Sequence, residues 1–200
     1  MGAGILPTAI YKGKLYFLFG KENAYADTPG FSDFGGGTEN GESFLTTAAR
    51  EGSEELTGFL GSQKDVRQLM RRNGTYVINS NGYRMHVVPL AYDEALVHYY
   101  NNAQAFIQAN LDPAIIQKVK IFEKAEIQWK SVAALSGMQQ RGEFRSYFNA
   151  MVDMLKAEEQ AIRRFIGQRS NMKTKTRSKS KTQSKSKSKT QSKRHTLKMI

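Results

Sequence analysis

The chain has 200 residues, no cysteine and a formal net charge of +12. That length suits one domain of ordinary size, and 40% apolar residues suffice for a core. Absent cysteine excludes disulfides and thiol catalysis, no apolar run is long enough to span a membrane, and the start lacks a signal-peptide pattern, so an intracellular protein is expected, in cytoplasm or nucleus.

Thr8 to Tyr11 reads as a short first strand, with Pro7 interrupting the stretch from Gly4. Lys12-Gly13-Lys14 is a turn, and Leu15 to Phe19 is a buried strand. Asn23 to Ser32 is a polar loop, after which Phe34 to Gly37 leads to a helix opening at Glu42 or Ser43 and running to about Leu56. Gly52 shares that helix's core-facing side with Leu45, Ala49 and Leu56, where a small residue allows close approach, and Gly58 suits a left-handed stop. Thr75 to Ile78 and Tyr83 to Tyr92 flank the turn Asn79-Ser80-Asn81-Gly82. Asp93 caps a helix from Glu94 to about Ala109, and Asp112-Pro113 starts another. Ala125 to Trp129 is a short strand, followed by a brief helix reaching Leu135. Glu143 to about Gly167 reads as one long helix, with Phe144, Phe148, Met151, Val152 and Leu155 on one face. Interleaved strands and helices make a mixed α/β domain over residues 1–168.

Residues 169–200 differ from all of this. They hold 12 Lys or Arg, 12 Ser or Thr, and no Asp or Glu. Residues 1–168 are left with 18 basic and 18 acidic side chains, so the excess charge belongs to the tail. Ser178 to Lys185 repeats unchanged as Ser186 to Lys193. So few apolar groups cannot offset the entropy of ordering, and disorder is expected, with non-specific, salt-dependent contact to nucleic acid as one use of the charge. A solvated extension is the plainer alternative.

The chemistry sits in Gly36, Glu42, Arg50, Glu51, Glu54 and Glu55, spaced G-x5-E-x7-R-E-x2-E-E. On a helix, Glu51, Glu54 and Glu55 fall within an arc of about 100°. Like charges so placed repel, and a hard divalent cation converts that repulsion into binding. A solvated acidic face is the usual reading of a Glu-Glu pair alone, but the glycine loop and the arginine argue against it here. No Gly-Lys-Ser/Thr follows Gly35-Gly36-Gly37, so a Walker-type loop is not expected. His86 and His98 lack metal-site spacing.

This stretch, from Phe34 to Gly58, resembles the Nudix box of hydrolases that cleave the diphosphate linkage in nucleoside diphosphate derivatives. Two positions depart from the family pattern: Gly52 stands where an apolar residue is usual, and Thr57 where a Gly is usual. The resemblance implies an α/β/α sandwich with a mixed sheet. It implies Mg²⁺ or Mn²⁺ held by Glu51, Glu54, Glu55 and a carbonyl at Gly36, with Arg50 and Glu42 bracing the loop. It also implies a water-activating base outside the box, for which Glu123 and Glu126 are the candidates. The expected substrate is a nucleotide or a capped RNA end. The tail-bearing layout is similar to Nudix proteins of large DNA viruses, some of which act in decapping. The alternative is a catalytically inert Nudix-like domain that binds nucleic acid through the tail.

Overall fold

The computed structural model describes residues 1–119 and 122–169. The expected disorder and nucleic-acid contact of the basic tail fall, except for Arg169, outside these residues. The fold is mixed α/β, with one seven-stranded sheet between two helical layers.

Strand β1 (Gly2–Tyr11) runs through the centre. One edge pairs in parallel with β6 (Tyr83–Pro89), which pairs antiparallel with β5 (Tyr76–Ser80). Elsewhere β1 meets two antiparallel partners in turn: β4 (Phe34–Gly37) along Gly2 to Ile5, then β2 (Lys14–Glu22) along Thr8 to Tyr11. Pro7 falls in the gap between these two pairings, where its missing N–H costs no bond to either partner. The strand therefore continues through the residue expected to interrupt it. Beyond β2 lie β3 (Phe31–Ser32) and β7 (Lys124–Ser131), both antiparallel to it. The hairpin expected at Asn79 to Gly82 is present, but Asn79 and Ser80 pair with Arg84 and Tyr83, so the turn narrows to Asn81 and Gly82, both at positive φ.

Alternation along the central strands sends Ala3, Ile5 and Leu18 to one face, and Leu6, Phe17 and Phe19 to the other. The first face is covered by α1 (Phe44–Glu55), α2 (Gln63–Asn73) and α3 (Glu94–Asn110). The second is covered by α5 (Val132–Gln140), α6 (Asn149–Ala157) and α7 (159–169). The short α4 (Pro113–Lys118) is capped by Asp112, with Pro113 in its first turn. Helix α2 is absent from the sequence-based expectations, although its signals are present: Ser62 and Asp65 form a capping box, and Val66 and Met70 are buried at i,i+4 spacing.

The long helix expected from Glu143 is broken. Gly142 turns at φ 66°, and the backbone of Phe31 then pairs with Glu143 and Arg145 at 2.8 and 3.1 Å. Backbone groups engaged with β3 cannot also build a helical turn. The helix starts only after the 3₁₀ turn Ser146–Phe148 and breaks again at Glu158. Its expected apolar face is still correct: Phe144, Phe148, Met151, Val152 and Leu155 are all in the core.

Gly52 faces Ile5, as its position on α1 requires. A Cβ there would lie 2.7 Å from Cγ1 of Ile5, a side chain with no exposure. Gly52→Ala gains about 1 kcal/mol of helix propensity. Overpacking of a closed core costs about 1–3 kcal/mol. The net expectation is a lower thermal midpoint, and Ile5→Val, which removes Cδ1, should cost Gly52→Ala less stability than it costs the native protein.

Candidate active site

Ser43 starts α1 by accepting the Thr46 backbone N–H at 3.2 Å. The helix ends at Leu56, where Thr57 and Gly58 both turn left-handed, at φ 51° and 73°. Between these ends, Arg50 collects the acidic side chains. Its Nε and Nη2 donate to the two oxygens of Glu42 at 3.0 and 3.1 Å. Nη1 donates to Glu51 at 2.8 Å and to Glu54 at 3.3 Å, and Nη2 donates to the Gly37 carbonyl at 2.9 Å. All five N–H donors of the guanidinium thus have a partner. Glu42 also accepts the Thr47 hydroxyl at 3.0 Å and the Glu39 backbone N–H at 3.2 Å.

The glycine run is explained residue by residue. A Cβ on Gly36 would lie 2.5 Å from Oε1 of Glu51, so only glycine lets this carboxylate come up beneath β4. A Cβ on Gly35 would overlap the Tyr83 hydroxyl, which donates to the buried Asp33 at 2.8 Å. Gly37 faces open space. Burial pushes the Asp33 carboxyl up to about 7, against the pull of Tyr83 and the nearby Lys124.

Glu55 belongs to a second cluster. It is buried, and Lys124 Nζ lies 3.3 Å from its Oε1. The same ammonium binds Glu22 and donates to Ser32 Oγ at 2.9 Å, while Glu22 also pairs with Arg145. A β-bulge aims Lys124 inward: Lys21 faces Glu126 but Glu22 faces Lys124, so β7 carries one extra residue there. Burial raises the Glu55 carboxyl well above its usual range, opposed by Lys124. Burial opposes the Lys124 charge too, but Glu55 and Glu22 outweigh it and hold the ammonium above its ordinary range. A cleft of about 240 Å³ opens beside this cluster, lined among others by Glu22, Tyr25, Asp27, Glu123 and Arg145.

Of the residues singled out in the sequence, Gly36, Glu42, Arg50, Glu51 and Glu54 meet at one place. Glu55 lies one helical step away, in the Lys124 cluster. Glu123 lines the adjoining cleft and its charge acts on Glu55. Glu126 faces Lys21 instead, 3.9 Å away across β2 and β7. His86 is buried with Nδ1 3.1 Å from the Thr75 hydroxyl, and burial lowers its pKa to about 4. His98 hydrogen-bonds Asn102 on α3. Trp129 donates to the Asp93 carbonyl at 3.0 Å, and Tyr100 is buried while Tyr99 is exposed.

Sequence reasoning missed Lys124, Glu22, Asp33, Tyr83 and Arg145. Strict alternation from Ile127 puts Lys124 on the opposite face, and only the bulge reverses that. The other four come from loops or different strands and carry no local spacing.

The donor set suits a hard divalent ion, since it is all carboxylate oxygen. Four carboxylates, those of Glu39, Glu42, Glu51 and Glu54, surround Arg50 against one guanidinium, which leaves unbalanced negative charge. Gly36 leaves space at Glu51, whereas Glu55 already faces the Lys124 ammonium through Oε1, although its Oε2 is buried with no hydrogen-bond partner. Among the described residues, however, no three acidic or histidine side chains are already gathered as a ligand cluster.

No family model matches the chain, and no curated protein matches it. Among solved structures, the chain is similar to a C. elegans Ap4A hydrolase in a binary complex, at 15% identity and a TM-score of 0.43, covering 78% of this chain and 91% of that one. It is similar to the Nudix hydrolase RenU of M. smegmatis, at 15% identity and a TM-score of 0.48, covering 80% and 86%. None of these proteins shares enough sequence to carry an activity to this chain.

Glu42 gives a pH test of the brace. The Arg50 hydrogen bonds lower its carboxyl from 4.5 to about 2. A carboxyl depressed in the folded state stabilises above its unfolded pKa, and that contribution is lost as pH falls toward the folded value. Thermal midpoints of the native protein should therefore drop more steeply between pH 4.5 and pH 2 than those of Glu42→Gln. Equal slopes would mean the pair does not persist in solution.

Proposed function

We propose that the protein is a Mg²⁺- or Mn²⁺-dependent hydrolase of the Nudix type, cleaving a pyrophosphate linkage in a nucleoside diphosphate derivative. The observation that carries this reading is the Arg50 fork, which ties Glu42, Glu51, Glu54 and the Gly37 carbonyl into one unit. A divalent ion, when bound, neutralises phosphate oxygens and lowers the pKa of a bound water. Glu51 and Glu54 are the residues to hold it, because they sit in the cluster with excess negative charge. Arg50 orients both and fixes the glycine loop against α1. Glu123, at the rim of the adjoining cleft, is better placed than Glu126 to receive a proton from the attacking water.

A capped RNA end is the finer reading of the substrate. It draws on the basic segment 169–200, whose charges would hold a phosphate backbone without reading its sequence. A free nucleotide needs no such segment.

Hydrolysis of a panel of dinucleoside polyphosphates, nucleotide sugars, nucleoside triphosphates and capped RNA, with and without Mg²⁺, tests the assignment. Glu54→Gln should abolish metal-dependent turnover. Arg50→Lys offers three donors for five acceptors and should lower kcat by about 10–100-fold, as loss of an orienting partner does elsewhere. Turnover that survives Glu54→Gln at saturating Mg²⁺ would remove the metal role of the box. No hydrolysis of any substrate by the native protein would favour a binding protein instead. Deleting residues 170–200 should reduce activity on capped RNA and spare free nucleotides.

A further inference from the structure

The two acidic clusters on α1 differ in charge balance. Around Arg50, one cation faces Glu42, Glu51, Glu54 and, at 3.9 Å, Glu39, and the Glu54 side chain is one-third exposed. Around Glu55, two cations, Lys124 and Arg145, pair directly with two carboxylates, Glu55 and Glu22; the charges of Glu51 and Glu123 also act on Glu55, and the Lys124, Glu55 and Glu22 side chains have almost no exposure. A divalent ion is drawn to the first cluster by excess charge. In the second it would have to displace an ammonium.

That ammonium is held by more than charge. The Lys124 stem passes over Gly20, where a Cβ would meet Cδ of Lys124 at 2.9 Å. Its Nζ has three partners, Glu22, Glu55 and Ser32. The backbone on both sides is pinned by one hydroxyl: Tyr100 donates to the Glu55 carbonyl at 2.7 Å and reaches the Lys124 carbonyl at 3.2 Å. The bulge in β7 exists at this position and turns the side chain toward α1. A strand irregularity, a small neighbour, a shared anchor and a complete set of partners together make a built site for one ammonium group.

We propose that Lys124 is a built-in counter-cation that holds Glu55 out of direct metal ligation and leaves Glu51 and Glu54 as the divalent-cation site. The proposal rests on the metal reading above, but departs from the ligand set that the box implies. Glu55 then acts as a positioning residue. It fixes Lys124, and through Glu22 it sets Arg145 at the cleft wall. Its free Oε2 is the point at which removal of the ammonium would expose a new ligand.

Binding of Mn²⁺ to the full-length chain, read from loss of the free Mn²⁺ signal in electron paramagnetic resonance, tests this without turnover. Glu51→Gln should weaken Mn²⁺ by at least about tenfold, as loss of a ligand does. Glu55→Gln should leave affinity within about threefold of native. Lys124→Met should tighten Mn²⁺ or add a second ion per chain. Equal weakening by Glu55→Gln and Glu51→Gln would overturn the proposal while leaving the metal reading intact. If the native chain binds no Mn²⁺, or Glu51→Gln and Glu54→Gln change nothing, both fall. Circular dichroism melts without metal establish that each variant is folded. Should Lys124→Met fail to fold, the Glu55→Gln comparison still decides, and the Lys124→Met, Glu55→Gln double variant, which removes both charges, should recover the fold.

Discussion

The five-donor fork of Arg50 is the interaction on which the site depends. Three carboxylates on two segments would otherwise repel across a few ångströms. A single planar cation binds Glu42 side-on, reaches Glu51 and Glu54 with its far nitrogen, and closes on the Gly37 carbonyl. Loop and helix are thereby held in one relation. A lysine has the charge but not the planar spread of donors, so it cannot replace this geometry. The glycines follow from the same constraint: Gly36 must lack a side chain because Arg50 holds Glu51 against it.

Behind the fork lies a second electrostatic layer of opposite character. Lys124, Glu22 and Glu55 are almost wholly buried and pair with one another, and Arg145 joins them at the edge of the cleft. Buried ion pairs of this kind contribute little net stability, since desolvation offsets most of the attraction. Their effect here is positional. They fix the end of α1 against β2 and β7 and set the polar wall of the adjoining cleft. The outer cluster is unbalanced and partly open, as a cation-binding surface needs to be. In the inner one each carboxylate has its own cation and Glu55 and Lys124 are buried, as a support needs to be. Two neighbouring glutamates on one helix therefore have different work.

Much of this was legible in the chain. Ser43 and Asp93 marked helix starts, Asn79 to Gly82 marked a hairpin, and the apolar positions Phe144, Phe148, Met151, Val152 and Leu155 were right although the helix was not continuous. Gly52 was read as a point of close approach, and Ile5 is what approaches. The failures share a cause. Pro7 was read as a break because the pairings that carry the strand through it, with β4 before it and with Val88 of β6 beside it, lie far away in sequence. Glu143 to Arg145 have helical character locally, yet Phe31 captures their backbone. Non-local pairing overrode local preference in both.

By itself the sequence determined the spacing of Gly36, Glu42, Arg50, Glu51, Glu54 and Glu55, because helix periodicity alone puts Glu51, Glu54 and Glu55 on one face with Arg50 at its edge. It also determined the concentration of positive charge in residues 169–200. Tertiary structure alone decided how those carboxylates divide. Glu51 and Glu54 turn to Arg50, whereas Glu55 meets Lys124, a residue 69 positions later that a single bulge in β7 brings to face it. Helical spacing sets which groups share a face. Which cation each of them meets depends on strands joined only by folding.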